Sequence, residues 1–197
     1  MLSVSPLEAG NFNARCFSAV NENFNAGDEV IFVSLLLGGG VVLKFYDVDS
    51  NYVKYLQSYD KQIPNISYSS NNKFVCGVVL SINNCNYYAP ISSITRLYRT
   101  SYPIKNSDGS VIATIRFCFM FPVPLAFLVE KDFSLIRQHD SAYADLLLKE
   151  WNDCRLNEAA VLLKAQSVYK IGCNKSHKFN YTCCNFPLLE QKMRAYI

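Results

Sequence analysis

A chain of 197 residues, half of them hydrophobic, is long enough to bury one sizeable core and too apolar to be disordered throughout. Its longest apolar run, residues 30–43, is interrupted by three glycines and falls short of the roughly 20 residues a membrane helix needs; Asp28 and Glu29 just ahead of it exclude a secretory leader, and eight cysteines without framework spacing read as reduced thiols of a cytoplasmic protein. The net charge of +3 is uneven: residues 1–42 hold one basic and four acidic side chains, leaving 18 basic against 12 acidic in residues 43–197, a balance compatible with a polyanionic partner.

Residues 1–42 lack an amphipathic repeat, are rich in asparagine between Asn11 and Asn25, and end in Gly38, Gly39 and Gly40, so they read as an appendage to a domain spanning 43–197. KFYDV at 44–48 is strand-like. Asp49 or Ser50 can then cap a helix with Tyr52, Leu56 and Tyr59 on one face, and Pro64 closes that segment. FVCGVVLSI and CNYYAPI flank Asn83 and Asn84, which tolerate the left-handed backbone of a tight turn, so this stretch predicts a β-hairpin with Ser92 and Ser93 at its end. SDG at 107–109 marks another turn, and VIATIRFCFMF alternates in part before Pro122 and Pro124. Three helices follow, over SAYADLLLKEW, NEAAVLLKAQSVY and a last segment from near Asn185 with Pro187 in its first turn.

The chemistry available is narrow. Cys173, His177, Cys183 and Cys184 are soft ligands close in sequence, yet adjacent cysteines rarely share one metal and neither a CxxC nor an HxxxH pair is present, so no metal or other cofactor is expected. The two histidines, His139 and His177, give little basis for histidine catalysis, and no phosphate-cradling GxxxxGK[ST] loop exists. What remains is hydroxyls, phenols and cations: Tyr52, Lys54 and Tyr55 on one helix, Tyr68 and Lys73 around a loop, and Ser92, Ser93, Arg96 and Arg99 after the hairpin. Rings that stack on bases and cations that neutralise phosphates suit single-stranded RNA. Against that stands the ordinary reading, in which helical tyrosines are core and serines after a strand bond their own backbone.

Five stretches in order tip the balance. LKFYDVDSNYVKYLQSYDKQIPN, KFVCGVVL, YYAPISS, FMFPVP and CNFPLLEQK resemble, over about Leu43 to the C-terminus, the ToxN/AbiQ family (ToxN, AbiQ or CptN branch), the endoribonuclease toxins of type III toxin-antitoxin systems. The resemblance places Ser93 on the family's active-site serine, Ser92 on a neighbouring threonine, Lys73 on its active-site lysine four residues before a glycine (here Gly77), and Tyr52 on the functional tyrosine of its first helix, so these four are the expected catalytic residues, Tyr52 positioning the RNA or relaying a proton. Tyr68 is the nearest match to a second tyrosine. Thr95 stands where the family has a further lysine, and Arg96 offers a replacement charge. Lys54 and Arg99 complete the expected RNA contacts.

The same resemblance implies an α+β fold, a twisted antiparallel sheet flanked by helices like that of MazF/Kid toxins. It also implies metal-independent cleavage, in which the RNA 2′-hydroxyl attacks the neighbouring phosphate to leave a 2′,3′-cyclic phosphate and a 5′-hydroxyl. The implied partners are a non-coding repeat antitoxin RNA folded as a pseudoknot, processed by the toxin and closed with it into a cyclic assembly, and cellular or phage mRNA as substrate, as in phage abortive infection. A non-catalytic protein that binds structured RNA is the alternative.

Overall fold

The computed structural model describes residues 43–65 and 74–196. The chain divides into a unit of residues 1–40 and a unit of residues 41–197, and the described residues all belong to the second. They form an α+β body: strands β1 (Lys44–Val48), β2 (Val75–Ile82), β3 (Cys85–Ser92), β4 (Ser101–Lys105), β5 (Val111–Arg116), β6 (Phe121–Pro122) and β7 (Leu128–Glu130), and helices α1 (Ser50–Tyr59), α2 (Phe133–His139), α3 (Ser141–Leu156), α4 (Glu158–Cys173) and α5 (Phe186–Tyr196). The strands make one antiparallel sheet in the order β4-β5-β3-β2-β1-β7, with β6 also paired to β3.

Local chemistry explains the elements that carry the site. The Asp49 side chain accepts the amides of Asn51 and Tyr52, satisfying two of the free N–H groups at the start of α1. Helix α1 buries Tyr52, Val53 and Leu56. Tyr59 shares the periodic face but lies at the end of the helix, 44 % exposed, where it meets Tyr55 and the Lys192 ammonium instead of the core. The β2–β3 hairpin turns through Asn83 and Asn84 at φ 52° and 57°, the left-handed region that asparagine tolerates.

A bulge in β2 between Cys76 and Leu80 contains Gly77. A Cβ there would fall 2.0 Å from the Tyr88 ring, so glycine is what lets that buried ring lie flat over the strand and meet Tyr46 edge-on at 5.5 Å. Helices close the sheet: α4 packs on β2 and β4, α3 on β4, and α5 on α1 and β6. At the beginning of the body the Leu43 carbonyl accepts the Trp151 indole N–H at 2.8 Å. No described helix is long and apolar enough to cross a membrane.

One core group is at odds with its surroundings. Glu150 on α3 is only 5 % exposed, and burial pushes its carboxyl up to about 7. The fold therefore prefers the neutral form, so the penalty is absent at pH values below the ordinary carboxyl range, grows between about pH 4.5 and 7, and is complete above. Replacing Glu150 by glutamine is expected to leave urea-unfolding stability unchanged at pH 4 and raise it by about 1–3 kcal/mol at pH 8.

Candidate active site and nucleic-acid interface

The sheet register brings three strand ends together. Tyr46 of β1 lies opposite Val75 of β2, and Val75 lies opposite Pro90 of β3, so the exit of β1, the entry of β2 and the exit of β3 share one end of the sheet. The Phe74 carbonyl accepts the Ile91 amide at 3.3 Å, extending the pairing one residue further toward Ser92 and Ser93. Lys73 and Tyr68 lie outside the described residues.

The adjacent serines have different fates. Ser92 is buried at 6 % exposure, sits opposite Thr114 of β5, and its Oγ accepts the Ile94 amide at 3.3 Å. The Thr114 hydroxyl donates to the Ile94 carbonyl at 2.9 Å, so both groups shape the turn that leaves the strand. Ser93 is exposed and opens an exposed segment that runs through Arg99. Within it the Tyr98 amide donates to the Ser101 hydroxyl, which in turn donates to the Tyr98 carbonyl, tying the segment back to β4.

Tyr52, expected among the catalytic residues, lies in the core. Its side chain has no exposed surface, its hydroxyl donates to the Pro122 carbonyl at 2.7 Å, and its ring stacks on Phe127 at 5.1 Å. Burial raises its phenol far above the usual range. Pro122 pairs with Tyr87, six residues before Ser93, which follows the end of that strand, a separation on the order of 20 Å at 3.3 Å per residue. Tyr52 therefore holds α1 to β6, at a distance from the serines. Lys54 lies on the exposed side of α1.

The fold adds cations that no local pattern marks. Arg116 stands opposite Ser101 and two residues along β5 from Thr114, on the face that carries Ser92. Its guanidinium packs 4.5 Å from the Tyr98 ring and 5.3 Å from that of Phe119, and its buried Nε has no hydrogen-bond partner among the described residues. Lys131 lies 5.7 Å from the Phe74 ring and 2.9 Å from Asp47. Arg96 sits 5.4 Å from Tyr98, while Arg99 reaches Phe179, which Lys178 also flanks, each at 5.3 Å. The late Cys/His group takes another course: Cys183 and Cys184 are buried and the His177 Nδ1 accepts the Phe179 amide. No group of metal-ligating side chains lies among the described residues.

The described body is an antiparallel α+β fold in which an exposed hydroxyl past a strand end is followed, in the same segment, by guanidinium groups packed on aromatic rings, the class of surface that can meet a polyanion carrying flat bases. The chain belongs to the family described as toxin ToxN, type III toxin-antitoxin system, whose model matches residues 44–194. It is 28 % identical over 162 residues to the endoribonuclease ToxN of Bacillus thuringiensis subsp. kurstaki, covering 78 % of this chain and 84 % of that protein. It is 27 % identical over 172 residues to the endoribonuclease ToxN of Pectobacterium atrosepticum, with 78 % and 94 % covered. A solved structure reported with selective toxin inhibition by a non-coding RNA pseudoknot in type III systems superposes with a TM-score of 0.73 at 28 % identity, covering 78 % of this chain and 97 % of that one.

Proposed function

We propose that this chain is the endoribonuclease toxin of a type III toxin-antitoxin system. It cuts RNA by attack of the 2′-oxygen on the adjacent phosphorus: the bond from phosphorus to the 5′-oxygen breaks, the proton leaves the 2′-hydroxyl, and another is delivered to the departing 5′-oxygen. The products are a 2′,3′-cyclic phosphate and a 5′-hydroxyl, with no water consumed and no metal required. Such a reaction depends on holding the phosphate in line and stabilising charge on its nonbridging oxygens.

The observation that carries this reading is the β2–β3 register. The strand that begins just after Lys73 pairs antiparallel with the strand that ends just before Ser93, through Val75 opposite Pro90 and Phe74 bonded to Ile91. Ser93 donates its hydroxyl to the scissile phosphate, Lys73 and Arg96 supply positive charge, and Ser92 positions Ser93 by fixing the turn. Tyr68 and Arg99 bind RNA, with Lys54 a further contact, and Tyr52 acts as a positioning residue for α1.

The inhibitor is the toxin's own repeat RNA, folded as a pseudoknot and cut from its precursor by this same site, closing with the toxin into a cyclic complex in the cytoplasm. Cellular or phage mRNA is the substrate that the inhibitor competes with. The catalytic body is residues 43–197, and residues 1–42 take no part in the chemistry.

The experiment is incubation of the purified chain, and of a chain beginning at residue 43, with RNA in EDTA. Both are expected to give the same fragments bearing 2′,3′-cyclic phosphate ends. Binding without cleavage would leave the non-catalytic RNA-binding reading; loss of activity in the shorter chain would overturn the assignment of residues 1–42.

A further inference from the structure

We infer that Tyr98 and Phe179 are two successive stacking platforms for unpaired bases of the RNA beside the scissile phosphate, extending the active site from Ser93 across to the connection between α4 and α5. This deepens the ribonuclease reading by naming the path its substrate takes.

Chain separation and charge carry the argument. Tyr98 lies five residues beyond Ser93 in the exposed segment, is 42 % exposed itself, and is flanked by Arg96 and Arg116. Its covalent neighbour Arg99 reaches over the partly exposed Phe179, which Lys178 flanks from its own segment. Two aromatic rings, each bracketed by two cations, are thus linked through a single peptide bond and one arginine side chain.

No aspartate or glutamate occurs in residues 92–107 or 159–189, the two segments that supply the rings. A solvated surface of mixed charge would not segregate its acids in this way. An acidic peptide would satisfy the cations without using the rings, whereas a nucleic acid strand alternates planar bases with phosphates and uses both.

The packing also indicates how a base enters. Arg116 is the tighter cation on Tyr98, at 4.5 Å, and is partly buried against Phe119 as well, so it holds its place. Arg96 at 5.4 Å, and Arg99 and Lys178 at 5.3 Å, are exposed and loosely set. A base displaces such a cation from its ring and takes the face, and the freed charge moves to the adjoining phosphate. One strand thereby engages the ring and the cation together.

The test compares a dinucleotide with a single-stranded RNA of about twelve nucleotides, long enough to occupy the whole path. Phe179→Ala is expected to raise KM for the long RNA about tenfold with kcat changed less than about twofold, and to affect far less the dinucleotide, which is too short to reach that ring; Tyr98→Ala, whose ring takes the base beside the scissile phosphate, is expected to raise KM for both. Phe179→Tyr is expected to restore the long-RNA KM. Arg99→Ala with Lys178→Ala should lower the slope of log affinity against log salt by about 1.4 for a single strand. An abasic strand of equal length is expected to bind wild type and Phe179→Ala alike. The inference is overturned if folded Phe179→Ala keeps the wild-type KM, if tyrosine fails to rescue it, or if in that variant the dinucleotide suffers as much as the long strand. A wild type that binds the long RNA through Phe179 without cutting it would uphold the platforms and remove the ribonuclease reading.

Discussion

Replacing Ser93 by alanine is expected to lower kcat for RNA cleavage by about 10²–10³, the usual cost of removing one preorganised donor from a developing negative charge. Its unfolding curve should not move, because Ser93 is exposed just past the end of β3 and surface substitutions of this kind stay within about 0.5 kcal/mol. Ser92→Ala serves as the contrast. Ser92 is buried and receives the Ile94 amide, so its loss is felt first in the shape and stability of the turn and only through it in catalysis. Single-turnover cleavage and denaturant titration of the two variants separate the roles. A Ser93→Ala enzyme that cleaves at the wild-type rate removes Ser93 from the mechanism, and with it the assignment of the active site to this end of the sheet.

The divergence of the two serines also shows how far the sequence could be read. Both lie at a strand end, as the hairpin pattern predicts, and Asn83 and Asn84 adopt the backbone that pattern requires. The caps were equally legible: Asp49 starts α1, and Pro187 falls in the first turn of α5. These features depend on groups within a few residues of one another. Which serine turns inward is decided by Thr114, which sits opposite Ser92 and follows it by 22 residues in the chain. No local spacing carries that.

The same limit explains the remaining differences. β4 contains Pro103, which argues against a strand; it is tolerated because β4 is an edge, paired on one side only. Pro122 stops β5-like alternation in the sequence yet joins β6, a two-residue strand whose existence depends on Tyr87 and Tyr88 of β3. Helix α2 and strand β7 are short and offer too few turns or alternations for a periodic signal. Tyr52 is matched by a motif but placed by Pro122, seventy residues on, which accepts its hydroxyl. Arg116 and Phe179 join the candidate interface through strand register and tertiary packing, so the only trace they leave in the sequence is the absence of acids around them.

Glu190→Ala is expected to destabilise the protein by about 3–5 kcal/mol, the range for removing one member of a buried, hydrogen-bonded charged cluster. Glu190 on α5 is 5 % exposed; its Oε1 accepts the hydroxyls of Tyr87 at 2.8 Å and Tyr169 at 2.7 Å, and its Oε2 accepts the Asn83 amide at 3.1 Å. Arg194 lies 3.7 Å from Oε2, one turn along the helix. Both phenols are pushed up, first by burial and then by this carboxylate, so they remain donors throughout the accessible pH range. Removing the carboxylate leaves two buried hydroxyls facing a cavity. Glutamine keeps the shape and one acceptor, so Glu190→Gln is expected to cost less, about 1–2 kcal/mol. Urea titration at constant m-value measures both. The cluster ties α4, α5 and the Asn83–Asn84 turn at the end of the hairpin remote from Ser93. Activity of Glu190→Ala, assayed at a temperature where it stays folded, should therefore match the wild type. Equal stability of alanine and wild type would show that solvent or neighbouring groups satisfy the phenols, and lost activity in the folded variant would show that the hairpin transmits strain along its length to the serine.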